Sequence, residues 1–80
     1  MLSKEKLIKI VSKSIKVNEK KINLKSRKQD FENWDSLAHL KILTEIDNST
    51  NGKAAKINNL ADQDTIQSLF KLLVKKKLAK

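Results

Sequence analysis

The chain has 80 residues, which is enough for one domain spanning residues 1–80 but short for a deep catalytic cleft, so a binding module is favoured over an enzyme. It has no cysteine and one histidine, which excludes disulfides, thiol chemistry of its own and the usual zinc sites. The net charge of +9 points to nucleic acid or an anionic membrane, although residues 29–49 contain five acids and one base and therefore carry −4.

Two further properties of the composition bear on location and fold class. Charged residues occupy the N-terminus, where a signal peptide needs a continuous apolar stretch, and the longest apolar run, Leu72–Val74, is far short of the ~20 residues that span a bilayer. These features predict a soluble cytoplasmic protein. Proline is absent, there is one glycine, and apolar residues show little period-two alternation, so we expect an all-α fold.

A first helix is predicted to begin after Ser3, which is a favourable N-cap residue. Apolar residues then recur at helical spacing and form one core-facing stripe, namely Leu7, Ile8, Val11 and Ile15. Four lysines lie mostly off this stripe and are interpreted as a solvated face, namely Lys6, Lys9, Lys13 and Lys16.

Residues 17–33 have no sustained period and are predicted to form a long loop. We expect isolated apolar residues to anchor the loop to the core, namely Val17, Ile22, Leu24 and Phe31. A basic cluster falls on this exposed part of the chain, namely Lys20, Lys21, Lys25, Arg27 and Lys28.

The second helix is predicted to begin with Asp35 as N-cap and Ser36 as its first residue. Its core-facing stripe consists of His39, Ile42, Leu43 and Ile46, while Leu37 and Leu40 point elsewhere. Residues 48–52, which include asparagines and the only glycine, are predicted to end it.

The last third of the chain contains one more predicted helix. Ile57 and Leu60 are expected in a short helical turn, and Asp64 is the expected N-cap of the last helix. The core-facing residues of that helix are predicted to be Ile66, Leu69, Phe70 and Leu73, extended by Val74.

Residues 33–40 read Asn-Trp-Asp-Ser-Leu-Ala-His-Leu and resemble the attachment site of free-standing acyl carrier proteins. The core of that motif is Asp-Ser-Leu at the start of the second helix, and the helices and loop around it are similarly spaced. The resemblance implies a four-helix bundle with a short third helix. It also implies that Ser36 receives 4′-phosphopantetheine from coenzyme A in a magnesium-dependent transfer. The chain would then be a non-catalytic carrier in a lipid or polyketide type of biosynthesis, holding acyl or aminoacyl groups as thioesters.

The residues around Ser36 suit this chemistry. A serine in the first helical turn is exposed, and the unpaired N–H groups there favour a phosphodiester. The arm brings the thiol, so a chain without cysteine can hold a thioester. Asp35 would cap the helix and lie beside the site during transfer. Leu37 would flank the site and contact partner enzymes, with packing against the preceding loop as the alternative.

The resemblance further implies three kinds of partner: a phosphopantetheinyl transferase, an acyl- or aminoacyl-activating ligase, and a condensing or acyl-transfer enzyme. The chain itself is expected to be a monomer. The expected docking residues on the second helix are Leu37, Leu40, Lys41, Glu45 and Asp47. Basic partners would recognise the acidic segment, so reversing the charges of Glu45 and Asp47 should impair transfer and leave the fold intact.

Two other functions are open at this point. The first is a small basic helical nucleic-acid-binding protein, which the net charge favours and the acidic second helix disfavours. The second is a scaffold that keeps the carrier fold and is never modified, against which the intact Asp-Ser-Leu motif argues. His39 is expected to be a hydrogen-bonded, half-buried residue rather than a catalytic base, and Trp34 to pack the loop onto the helices.

Overall fold

The computed structural model describes residues 2–80 and contains three α-helices, α1 (Lys4–Ile15), α2 (Ser36–Ser49) and α3 (Ile66–Lys75). The connections between them contain four 3₁₀ turns, at Glu19–Lys21, Lys28–Asp30, Ala54–Lys56 and Leu60–Asp62. Residues 2–80 form no β-strand, only two isolated bridges, which agrees with the predicted all-α class. None of these helices combines the length and the apolar character needed to cross a bilayer.

A four-helix bundle is not confirmed, because residues 53–62 form two 3₁₀ turns where a short third helix was expected. Side chains from the end of α2 hold the first of these turns. The Ala54 N–H donates to Thr50 Oγ1 at 3.1 Å, and the Ala55 N–H donates to Asp47 Oδ1 at 2.9 Å. Asn59 then adopts a left-handed conformation with φ of 70°, which interrupts the helical path before the second turn.

The helix starts follow capping chemistry. The Lys6 N–H donates to Ser3 Oγ at 3.1 Å, so the predicted cap of α1 is confirmed. The predicted cap of α3 is wrong by one residue, because Thr65 Oγ1 accepts the Ser68 N–H at 3.0 Å. Asp64 lies outside the helix, where its carbonyl accepts the Lys28 N–H from the long loop at 2.6 Å.

The three helices bury one apolar core between them. The fully buried side chains with the largest volumes include Leu7, Val11, Ile15, Ile42, Ile46, Ile66, Leu69 and Leu73. Ile8, Leu43 and Phe70 pack at its edge and are half-buried. Val74 is 42% exposed, so its predicted place on the core face of α3 is wrong. Ile10 joins the core from α1, although the expected stripe did not include it.

The long loop is anchored as predicted. Ile22 is buried, and the half-buried residues packed against the core include Val17, Leu24 and Phe31. The loop also meets the start of α3: the Ile66 N–H donates to the Ser26 carbonyl at 3.1 Å, and the Gln67 N–H to the Leu24 carbonyl at 2.9 Å. The loop therefore supplies partners for N–H groups that a helix start leaves free.

The two ends of the described chain pair with each other. The Leu2 N–H donates to the Leu78 carbonyl at 2.9 Å, and the Lys80 N–H donates to the Leu2 carbonyl at 3.1 Å. This parallel bridge between Leu2 and Ala79 leaves both side chains buried. A left-handed Lys77, with φ of 61°, turns the chain after α3 toward Leu2.

Candidate functional site

Asp35 fixes the start of α2. Its Oδ1 accepts the Ala38 N–H at 2.8 Å, and its carbonyl accepts the His39 N–H at 2.9 Å. Asp35 itself is extended, with φ of −91° and ψ of −173°, as an N-cap residue should be. The predicted cap is therefore confirmed, and Ser36 is the first residue of the helix.

Ser36 lies on the surface at the first turn of α2. A helix leaves its first N–H groups without intrahelical partners, and Asp35 satisfies only that of Ala38. The N–H groups of Ser36 and Leu37 therefore lie beside the Ser36 hydroxyl with partial positive charge. An exposed hydroxyl in this setting fits a phosphodiester linkage, because the anionic oxygens would meet N–H donors.

A hydrogen bond between Trp34 and His39 joins the loop before α2 to the helix. Trp34 is 2% exposed, and its indole N–H donates to His39 Nδ1 at 3.0 Å. An indole N–H can only donate, so Nδ1 is the acceptor and the imidazole proton sits on Nε2. Nε2 then donates to the Ala61 carbonyl at 2.9 Å. The predicted packing of Trp34 and hydrogen bonding of His39 are confirmed, but His39 is buried at 7% exposure rather than half-buried. The link to Ala61 was not foreseen.

Leu37 and Leu40 are the most exposed large apolar residues among those described, at 72% and 60%. The alternative that Leu37 packs against the preceding loop is therefore wrong. Ser36 and Leu40 are four residues apart on α2 and so share a face of the helix. The two leucines provide an apolar surface immediately beside the Ser36 hydroxyl.

Three of the five acids in residues 29–49 make intramolecular contacts. Asp30 accepts the Arg27 backbone N–H at 3.0 Å and its guanidinium at 3.2 Å. These two hydrogen bonds lower the pKa of Asp30 below its usual 3.8. Asp35 caps α2 and Asp47 accepts the Ala55 N–H. Of the five acids, only Glu32 and Glu45 make no hydrogen bond or ion pair within the described residues.

The contact of Asp47 corrects one expectation about the docking residues. Replacing Asp47 with lysine would remove the acceptor of the Ala55 N–H at the 3₁₀ turn of Ala54–Lys56. A double charge reversal at Glu45 and Asp47 would therefore disturb the fold as well as any partner. Glu45 is exposed and makes no such contact within the described chain, so it is the residue on which charge can be tested.

An open apolar cleft of about 260 Å³ runs between α2 and residues 54–61. Its lining includes Leu43, Ala54, Ile57 and Leu60. Leu43 is seven residues after Ser36 and so lies on the same face of α2, ~10 Å farther along the helix. The cleft therefore opens on the side of α2 that carries the serine. Sequence patterns gave no sign of it, since the turns that form its far wall lack periodicity.

No three His, Asp or Glu side chains of residues 2–80 lie close enough together to hold a metal ion. A scan against models of protein families, a search of curated proteins and a search of solved structures each give no match to this chain.

Proposed function

We propose that this chain is a free-standing acyl or peptidyl carrier protein in which Ser36 bears 4′-phosphopantetheine. One observation carries the proposal. In the sequence Asp-Ser-Leu, the aspartate caps a helix, the serine hydroxyl is exposed in its first turn, and the leucine is exposed beside it. An esterified Ser36 would place its phosphate next to the free N–H groups of that turn.

The surroundings of Ser36 support a carried group. When bound, the arm supplies the thiol that forms a thioester with an acyl or aminoacyl group. The apolar cleft on the Ser36 side of α2, lined by residues such as Leu43 and Leu60, offers an apolar surface to a short acyl chain. Residues 53–62 would occupy the position of the short third helix of acyl carrier proteins. Their two 3₁₀ turns form the far wall of the cleft.

Partner enzymes are proposed to meet the exposed end of α2. Leu37, Leu40 and Lys41 are all exposed there and surround the turn that bears Ser36. The proposed partners are a phosphopantetheinyl transferase, an acyl- or aminoacyl-activating ligase, and a condensing or acyl-transfer enzyme. Catalysis resides in these enzymes, and the chain presents its serine or its arm to them.

The first test is modification of Ser36. The protein is incubated with coenzyme A, Mg²⁺ and a broad-specificity phosphopantetheinyl transferase, and its intact mass is recorded. We expect the mass of one arm to be added, and no addition to Ser36→Ala. Ser49→Ala is the matched control, because Ser49 is an exposed serine at the other end of α2 and should not affect modification. Failure of several such transferases to modify the wild-type chain would refute the proposal.

A further inference from the structure

A groove lined with lysines separates α1 from α2. It is open to solvent, has a volume of about 670 Å³, and its charged lining residues are Lys6, Lys9, Lys13, Lys41 and Glu45. Four positive charges against one negative charge leave the lining with a net charge of +3. The groove is therefore a concave, basic surface, distinct from the apolar cleft on the other side of α2.

The α1 lysines form one continuous row. Lys6, Lys9 and Lys13 are spaced by three and four residues, so they share one face of α1 over ~10 Å. Lys16 follows as the left-handed C-cap residue just after the helix. Lys16 belongs to a second, adjoining depression, which Lys41 also lines together with Leu37 and Asp35. The row thus leads from the groove to the exposed leucine next to Ser36.

Glu45 shares the groove with these lysines, but none of them forms an ion pair within residues 2–80. The only ion pair among residues 2–80 joins Arg27 to Asp30 in the long loop. Lys9 and Lys13 are four residues apart on α1, where like charges destabilise a helix by a few tenths of a kcal/mol. Acidic groups brought in from outside would remove this repulsion, so the groove has electrostatic complementarity for an anionic ligand.

The shape and apolar end of the groove indicate which kind of anionic ligand fits. A flat membrane surface does not fill a concave groove between two helices. Nucleic-acid phosphates would satisfy the lysines but offer nothing apolar to cover Leu37, which is 72% exposed. An acidic helix or ridge of a protein can supply carboxylates to the lysines and an apolar side chain to Leu37.

We propose that the groove between α1 and α2 is a docking surface for an acidic, amphipathic segment of a partner protein, which contacts the lysine row and ends on Leu37. This docking surface is positively charged, whereas the acidic residues 29–49 suggested a negatively charged one. Three of the five acids in that segment already make hydrogen bonds within the molecule. The docking surface requires no group on Ser36, so it stands or falls independently of the proposed carrier function.

The test uses the unmodified full chain and a synthetic helical peptide of ~15 residues, with glutamates along one face and leucines at its edge. A peptide with glutamine in place of glutamate is the charge control. Binding is followed by NMR chemical-shift titration at about 0.15 M salt, where long-range attraction is screened. We expect the acidic peptide to shift the resonances of Lys9, Lys13, Lys41 and Leu37, and the glutamine peptide to bind at least about tenfold more weakly, which is ~1.4 kcal/mol.

Two triple variants with the same net charge locate the site. Lys9→Gln, Lys13→Gln and Lys41→Gln together should weaken acidic-peptide binding about tenfold. The matched control replaces three exposed lysines of the long loop, Lys20, Lys21 and Lys25, with glutamine and should leave affinity within about twofold. Circular dichroism is the check that both variants are folded.

Three outcomes would overturn the proposal. Equal losses in both triple variants would show a response to net charge with no defined site. Tighter binding of duplex DNA through Lys9, Lys13 and Lys41 would assign the groove to nucleic acid. Tighter binding of phosphatidylserine vesicles through the same lysines would assign it to a membrane surface.

Discussion

Asp35 connects helix stability to the chemistry proposed at Ser36. Its carboxylate accepts the Ala38 N–H at 2.8 Å and so holds the first turn of α2 in place. It also puts a negative charge one residue before the serine, at the positive end of the helix, where it is favourable. The contributions of hydrogen bonding and of charge can be separated, because asparagine caps a helix about as well as aspartate does.

Asp35→Ala should lower the free energy of unfolding by ~1 kcal/mol through loss of the cap, whereas Asp35→Asn should change it much less. Both variants should be modified by a phosphopantetheinyl transferase more slowly than wild type, and Asp35→Ala by more than its stability loss explains. Denaturant unfolding and the initial rate of mass gain measure the two effects. If Asp35→Asn were modified at the wild-type rate, the charge of Asp35 would have no part in the transfer.

The start of α2 at Asp35 and Ser36 could be predicted from the sequence because it depends on a local hydrogen bond, from the Ala38 N–H to Asp35 Oδ1. Two cap residues compete before α3, Asp64 and Thr65. The choice falls on Thr65 because the Asp64 carbonyl accepts the Lys28 N–H and the Ser26 carbonyl accepts the Ile66 N–H. Both partners come from a loop ~40 residues away in the chain, which a local pattern does not encode.

At the scale of elements, Trp34 and His39 fasten α2 to both neighbouring segments. The indole N–H of Trp34 reaches His39 Nδ1 from the preceding loop, and His39 Nε2 reaches the Ala61 carbonyl in the following 3₁₀ turn. His39 is only 7% exposed, so water cannot easily replace a lost partner. These two hydrogen bonds set the position of the apolar cleft wall relative to the turn that carries Ser36.

Trp34→Phe keeps an aromatic ring in place and removes the indole N–H, which leaves His39 Nδ1 buried without a donor. The free energy of unfolding should fall by about 1–3 kcal/mol for the lost partner, with a further loss for the smaller ring. Circular dichroism at increasing urea measures it, because Trp34 is the only tryptophan available for fluorescence.

The double variant Trp34→Phe, His39→Phe tests the cause of that loss. With both polar partners gone no buried side-chain nitrogen is left unsatisfied, and Ala61 is an exposed residue whose carbonyl lies close to water. The second replacement should therefore cost less in the Trp34→Phe background than in wild type. Additive losses would indicate that packing of the indole ring, rather than the hydrogen bond, holds the loop.

The secondary structure of residues 53–62 could not be predicted in detail from the sequence. Without periodicity, the sequence suggests only a helical turn near Ile57 and Leu60. The actual path depends on contacts with α2, namely Thr50 Oγ1 with the Ala54 N–H and Asp47 Oδ1 with the Ala55 N–H. Because these contacts exist only once α2 has formed and the chain has folded back, the shape of the cleft was not predictable from the sequence.

At the scale of the whole molecule, the pairing of Leu2 with Ala79 adds two buried side chains to the core from outside the helices. Leu2 is 1% exposed and Ala79 is 3% exposed, and two backbone hydrogen bonds join their segments. Small domains bury a modest fraction of their surface, so one additional buried leucine is a notable share of the total stability.

Leu2→Ala should therefore lower the free energy of unfolding by about 2–5 kcal/mol, as for other buried leucines. Leu40→Ala makes the same chemical change at a residue that is 60% exposed and should stay within about 0.5 kcal/mol of wild type. Chemical denaturation followed by circular dichroism compares the two. A Leu2→Ala variant as stable as Leu40→Ala would mean that the pairing of the ends contributes little to folding.

The parallel bridge between Leu2 and Ala79 also determines how the molecule responds to a pulling force. When residues 2 and 80 are drawn apart, the two segments slide along each other, since they run in the same direction. The hydrogen bonds from Leu2 to Leu78 and from Lys80 to Leu2 then bear the load together and do not open one after the other. In a molecule held at residues 2 and 80, this shear geometry places a mechanical barrier at the Leu2–Ala79 pair, between the applied force and the turn that bears Ser36.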